Sequence, residues 1–250
     1  MPATDLWPLL GLFAVGLVAG GLNVVAGGGS FLTLPLLIFL GLPAAEANAT
    51  NRVGLLAQNL AGVWAFHRSR AVNWRWGLAV AVPTVVGAVI GARWALQFSD
   101  VAFRRVLSIV MLLMTPWTLS RTQPPAGRAD LWSPWHPAMV AAFFAIGVYG
   151  GLIQVGNGFA ILAATSLAGM DLIQGNAIKV LAVLALAAVS LAVFASGGAV
   201  HWGEGAALGL GNVIGALGGV RLALTRGHAW IQRVVTVVVV VFALLLWLET

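Results

Sequence analysis

GLVAGGLNVVAGGGSFLTLPLLIFLGLPAAEANATNR, residues 16–52, decides how the whole chain is read. It begins as an apolar membrane span and breaks at Gly27-Gly28-Gly29. It then resumes as a short apolar run and ends in amides and one arginine. An apolar segment ordinarily stays helical across a bilayer, because each unpaired backbone group in hydrocarbon carries a heavy cost. A break is tolerated only where protein buries it or it lines a cavity. A second, diverged copy of the stretch lies at 144–179. Two interrupted segments in corresponding places point to the binding site of a transporter.

The rest of the composition agrees with a polytopic membrane protein. Of 250 residues, 60% are hydrophobic and 8% charged, and the mean hydropathy is +0.98. That excludes a soluble domain. Runs without Asp, Glu, Lys or Arg cover 6–45, 53–67, 76–92, 106–120, 131–170, 180–203, 205–220 and 234–248. Cysteine is absent, which excludes disulfides and thiolate metal sites. The net charge of +6 comes from basic residues in short loops between spans. There they set orientation and do not point to nucleic acid. Asp5 and the lack of a basic stretch before the first apolar run lead us to expect no signal peptide. The 31 glycines suit close helix packing, which drives association in lipid, and they suit homodimerisation as well.

A constant offset of 128 aligns two copies of one unit. Gly28 meets Gly156, Phe31 meets Phe159, Gly41 meets Gly169 and Asn48 meets Asn176. Trp74 meets Trp202, Gly87 meets Gly215, Gly91 meets Gly219, Arg93 meets Arg221 and Arg105 meets Arg233. The polar, Pro-rich stretch 120–137 joins the copies. The first transmembrane repeat is therefore 6–119, the cytoplasmic linker 120–133 and the second repeat 134–249. Loop 68–75 carries Arg68, Arg70 and Arg75, whereas its counterpart 196–204 carries only His201 and Glu204. Positive residues mark the cytoplasmic side. Loop 68–75 is thus expected inside, 196–204 outside, and both termini outside. Arg104-Arg105, placed near the outer face, fits this scheme least well.

Homologous loops on opposite sides require an odd number of crossings per repeat. Each repeat has three ordinary spans, at about 52–67, 76–97 and 103–119, then 176–196, 203–224 and 229–248. The charge-free runs 6–45 and 131–170 must then contribute an even number. A glycine break in the middle makes each a helical hairpin, either re-entrant or crossing twice. The expected fold is an all-α polytopic membrane protein of two inverted-topology repeats, each a broken hairpin plus three transmembrane helices.

The breaks carry the candidate chemistry. Asn23, Gly27, Gly28, Gly29 and Ser30 form the first. Glycine lets the backbone turn and approach a ligand closely. A helix restarting after the break aims its free N–H groups at the gap, as an anion site requires. A glycine-rich packing face with Asn23 bonded to a neighbouring helix is the competing reading. Gln154, Gly156, Asn157 and Gly158 form the second break, with Asn157 opposite Gly29 and Gly158 opposite Ser30. Pro35 should kink the short run, and its counterpart is Ala163.

Asn48, Thr50, Asn51 and Arg52 open the next span, and Asn176 and Lys179 open its counterpart. In each half an amide and a cation three or four residues later share one helix face. An N-cap followed by an interfacial arginine accounts for Asn48 and Arg52. A functional cation beside a broken helix does so too. Two such cations from opposite halves would converge on one anion. Gln58 and Asn59 are polar within the same span, opposite Leu186 and Ala187, and serve either interhelical bonding or the site. His67 reads as interfacial. Trp7, Trp64, Trp74, Trp76, Trp94, Trp202, Trp230 and Trp247 near span ends read as an aromatic belt. Glu46 and Asp171 fall in the turns after the short runs, as solvated acids or as proton carriers.

The broken hairpin GGLNVVAGGGSFLTLP, its counterpart GGLIQVGNGFAILA and the NATNR turn resemble the TauE/SafE sulfite-exporter family of membrane permeases. The resemblance covers nearly the whole chain except the linker. It implies transport of small sulfur-containing anions such as sulfite, sulfoacetate or other organosulfonates across a bacterial inner membrane. It implies a small anionic substrate as partner. The composition makes the lipid bilayer the other, and with no cysteine and no His/Glu cluster neither metal nor cofactor is expected. The second break lacks the triple glycine and the proline, and Asn157 and Gln154 there would admit a larger organic sulfonate.

Two other functions are weighed against this. An anion channel of the same fold also uses glycine breaks and basic residues. An intramembrane hydrolase needs a Ser–His pair, two intramembrane aspartates or a His/Glu metal cluster at midplane depth. Ser30 has no histidine at its depth, and Asp5, Asp100, Asp130 and Asp171 lie at ends or turns.

Overall fold

A computed structural model describes residues 6–119 and 132–226, and every regular element among them is helical. In chain order these are α1 (Leu6–Ala26), α2 (Ser30–Phe39), α3 (Ala44–Arg68), α4 (Trp74–Ala95) and α5 (Asp100–Leu119). The second copy supplies α6 (Pro137–Leu152), α7 (Asn157–Leu167), α8 (Leu172–Ser196) and α9 (Trp202–Arg226). Stretches within α1, α4 and α8 are long and apolar enough to cross a membrane. The span expected at 229–248 and most of the linker lie outside the described residues.

Both glycine-interrupted runs do break. α1 gives way to α2, and α6 to α7, across three and four residues. At 1.5 Å per residue, the 10 residues of α2 and the 11 of α7 reach only about 15 and 16 Å, half a hydrocarbon core. Pro35 is accommodated inside α2.

Two helix starts differ from the sequence expectation. α3 begins at Ala44, not near 52, with Pro43 as its N-cap. Proline has no N–H to lose there. Asp100, on the neighbouring α5, accepts the Ala44 N–H at 2.5 Å in place of a local cap. Asn48, Thr50, Asn51 and Arg52 therefore lie within the helix and do not open it, which removes the N-cap reading of Asn48. Similarly, α8 begins at Leu172, and Asp171 is its N-cap, accepting from the Ile173 and Gln174 amides at 2.8 Å. Glu46 is in the first turn of α3, not in a loop. Its carboxylate meets His201 Nε2 at 2.6 Å.

Packing crosses the two copies. α1 packs most extensively on α9, and α6 on α4. α3 adds to α9, α8 adds to α4, and α3 and α8 meet between the two groups. Glycine makes the crossings possible. A Cβ on Gly211 or Gly215 would lie 2.1 or 2.0 Å from the carbonyl oxygens of Phe13 and Leu17 on α1. A Cβ on Gly87 or Gly91 would lie 2.2 or 2.0 Å from those of Phe144 and Val148 on α6. With no apolar drive between helices in lipid, such backbone proximity supplies the attraction. Gly87 and Gly215 are repeat equivalents, as are Gly91 and Gly219, so the same seam is built twice.

The two connections equivalent in the repeat fall at opposite ends of α3. His201, between α8 and α9, donates its N–H to Thr50 Oγ1 at 3.0 Å near the start of α3. The α3–α4 connection follows Arg68, at the far end of a 25-residue helix about 37 Å long. Trp7, Trp64, Trp74, Trp94 and Trp202 are exposed near helix ends, as a belt requires.

Candidate functional site

The two breaks meet. Gly27 has φ +81°, and a Cβ there would lie 2.8 Å from Gly158 Cα. A Cβ on Gly158 would lie 2.6 Å from Gly27 Cα. Only glycine at both positions allows this approach. Beside it, Phe31 and Phe159 meet at 6.3 Å between ring centroids, tilted by 39°. These two rings are repeat equivalents.

Around the first break, the polar groups are paired with one another. Lys179 of α8 reaches across to the end of α1. Its ammonium donates to the carbonyls of Asn23 (2.9 Å) and Val24 (2.7 Å) and to Asn176 Oδ1 (2.6 Å). The cation adds to the Gly27 N–H already on Asn23 O and caps the last turn of α1 at its negative dipole end. Its stem passes Gly158, whose Cβ would lie 3.2 Å from Lys179 Cδ. Asn176 Nδ2 donates to Leu172 O, and Asn23 Nδ2 donates to Gln58 Oε1 at 3.3 Å. Thr33 Oγ1 donates to Asn51 Oδ1 at 2.7 Å, tying α2 to α3. Asn59 Nδ2 turns back to Leu55 O in its own helix. Ser30, buried, starts α2 after Gly28 and Gly29.

The second break has the same plan with a different outcome. Arg52 of α3 reaches the end of α6, where Nη2 donates to Gly150 O (3.0 Å) and Gly151 O (2.6 Å). One turn earlier, Asn48 Nδ2 donates to Leu152 O at 3.0 Å. Each half thus supplies a buried cation that caps the other half's interrupted helix. The two cations do not converge on a single point; each sits on its own helix end. The Arg52 guanidinium also lies 4.9 Å over the Phe194 ring of α8, a cation–π contact.

The backbone of this break is strained where the first is not. Gln154 has φ +60° and Gly156, the N-cap of α7, φ +75°. A non-glycine residue in the left-handed region persists when its surroundings hold it. The Tyr149 hydroxyl donates to Val155 O and closes the loop. Here the polar groups are not paired off. Arg52 Nε and Nη1, Asn48 Oδ1, Gln154 Oε1 and both amide atoms of Asn157 are buried without a protein partner. Asn157 lies against Gly150, whose Cβ would be 2.3 Å from Asn157 Nδ2 and 2.5 Å from Leu186 Cδ1.

The sequence reading passed over Thr33, Tyr149, Ser190, Phe194 and Asn212. Ser190 and Asn212 are buried, with Ser190 Oγ and Asn212 Oδ1 unpartnered. Each is a lone polar residue in an apolar helix, the signal that singled out Gln58 and Asn59.

A cavity of about 410 Å³ opens at the end of the fold bearing the α3–α4 connection, lined among others by Arg70, Asn73, Trp76, Met170 and Gln174. Asn73 and Gln174 are the repeat equivalents of His201 and Glu46. Where the latter pair bridges one end of the molecule, the former lines an opening at the other.

The family described as sulfite exporter TauE/SafE matches residues 12–246. A "probable membrane transporter protein" of Haemophilus influenzae is 30% identical over 90% of this chain and 89% of its own length. One from Sinorhizobium is 27% identical over 93% of this chain and 90% of its own. Another, YfcA of Escherichia coli, is 29% identical over 92% and 86%. No solved structure matches.

Proposed function

The chain belongs to the sulfite exporter TauE/SafE family, and on that premise we propose that it is a secondary permease for small sulfur-containing anions, sulfite or organosulfonates. It works by alternating access around the point where the two helix breaks meet. The observation that carries this reading is the crossed capping: Lys179 holds the end of α1, and Arg52 the end of α6, from the opposite half. A ligand that competes for Arg52 loosens the contact between halves, so binding and rearrangement are linked.

The repeats have inverted topology and sit in a bacterial inner membrane, with the basic α3–α4 connection inside and the termini outside. The placing of equivalent connections at opposite ends of α3 supports this. The Phe31–Phe159 contact, between repeat equivalents, fits a pseudo-twofold relation of the two copies. The hairpins are re-entrant, for α2 and α7 are too short to span. The opening at Asn73 and Gln174, against the Glu46–His201 bridge, suits a carrier open on one side at a time.

Proteoliposomes loaded with unlabelled sulfite or 2-sulfoacetate should take up the labelled anion in counterflow, with saturation. Uptake that rises linearly with concentration and lacks trans-stimulation would mean a channel. Absence of flux for every sulfur anion would remove the substrate class.

A further inference from the structure

We propose that the substrate is held at the second break alone, by Arg52, Asn157 and Ser190, and that it is an oxyanion carrying a hydrogen-bond donor of its own. The inference rests on the transporter reading and narrows its site and its substrate.

The two breaks look alike in sequence but differ in hydrogen-bond satisfaction. Among the described residues, eight buried side-chain polar atoms lack a partner. Six belong to Arg52, Asn48, Gln154 and Asn157, and a seventh is Ser190 Oγ. Around Lys179 the ammonium has three acceptors and the nearby amides bond one another. Buried polar atoms without partners are uncommon in native folds, and a cluster of them calls for a cause. Lys179 is accordingly a clamp between halves and not a ligand.

Ser190 belongs to the cluster by position on α8. Leu186, four residues before it, faces Gly150. Phe194, four residues after it, faces Arg52. Spacing of four puts all three side chains on one helix face.

The atoms define the ligand. Arg52 Nε and Nη1, Asn157 Nδ2 and the Ser190 hydroxyl are donors. They suit a group with several anionic oxygens, as sulfite and sulfonates have, and the start of the 11-residue α7 adds its positive end. Gln154 Oε1, Asn157 Oδ1 and Asn48 Oδ1, from the same break and the helix that caps it, are buried acceptors without a protein partner. A bare oxyanion leaves them unmet. An anion that also bears an O–H or N–H meets both sets. Gln154 is held in the left-handed region, which a non-glycine residue keeps only where its surroundings enforce it, and its buried Oε1 has no protein partner.

The test is calorimetric titration of the full chain in detergent with 2-hydroxyethanesulfonate, ethanesulfonate, sulfite, acetate and phosphate. The hydroxylated sulfonate should bind at least about fivefold tighter than ethanesulfonate, and Gln154→Met should abolish that preference. Asn157→Ala and Ser190→Ala should each weaken binding by about tenfold or more with the melting temperature unchanged or raised, since neither atom bonds within the protein. Asn23→Ala and Gln58→Leu, at the first break, should stay within about twofold.

Unchanged affinity in the Asn157 and Ser190 variants, or lost affinity in the folded Asn23 and Gln58 variants, overturns the one-sided site. Equal affinity for the two sulfonates overturns the donor requirement. If only acetate or phosphate binds, the sulfur reading falls while the same variants still judge the pocket with that anion. If no anion binds, both fall.

Discussion

Lys179 and Arg52 show how much a single buried side chain holds at this depth. Lys179 makes three short hydrogen bonds, two of them to carbonyls at the end of α1. Neutral hydrogen bonds in membrane proteins average about 0.6 kcal/mol, and those to a charged group about 1.5–3 kcal/mol. Lys179→Met should therefore destabilise the protein by about 3 kcal/mol or more, read as a lowered unfolding temperature in detergent. Both cations were legible as residues, because a charge in an apolar run next to a helix break stands out. Their partners were not, because Arg52 and Gly150 are 98 residues apart in sequence and no local spacing encodes the contact. Ser190 carries the lone-polar signal more weakly than Gln58 and Asn59: between Val189 and Leu191 a single small hydroxyl can bond its own helix, whereas an amide pair cannot be absorbed so easily.

At the scale of the element, the glycine seams and the shared cap make separate claims. Gly87→Ala puts a Cβ 2.2 Å from Phe144 O, while Gly218 has nothing within 4 Å. The first change should cost about 1–3 kcal/mol through forced separation of α4 and α6. Gly218→Ala should be neutral or stabilising by up to about 1 kcal/mol. Thermal unfolding of the pair separates seam from filler.

Asp100, at the exposed start of α5, stabilises the start of α3. Partial burial pushes its carboxyl up, but the Ala44 amide and the Arg104 guanidinium outweigh that, and its pKa lies below the usual value. A depressed carboxylate contributes stability above its unfolded pKa and loses it as pH falls through the folded one. Acidification below about pH 4 should thus lower the melting temperature of the wild type more than that of Asp100→Asn. The effect should be small, since exposed pairs contribute about 1 kcal/mol or less. The same pair accounts for Arg104, which the charge rule placed awkwardly. The start of α3 was misplaced because Glu46 and Arg52 interrupt the charge-free run, and sequence does not show that Arg52 is buried. The breaks themselves were legible, since glycine clusters in apolar runs have few other uses.

For the molecule as a whole, the Glu46–His201 bridge and the opening at Asn73 and Gln174 predict a gate. The chain has no cysteine, so paired cysteines can be introduced cleanly. Glu46→Cys with His201→Cys, joined by a bifunctional thiol reagent, should abolish uptake, and each single variant should retain it after the same treatment. The offset of 128 made the duplication visible. It did not reveal that α1 finds its main neighbour in the second copy, or that α6 finds its own in the first. That interleaving bears on biogenesis. Residues 1–119 on their own lack α9, and residues 134–250 lack α4, so each fragment exposes a glycine-lined helix with nothing to embrace. Neither should accumulate when expressed singly, whereas both together, with the chain severed inside 120–131, should reconstitute uptake. The active carrier is then a covalently tethered heterodimer in all but name, and the linker's task is stoichiometry.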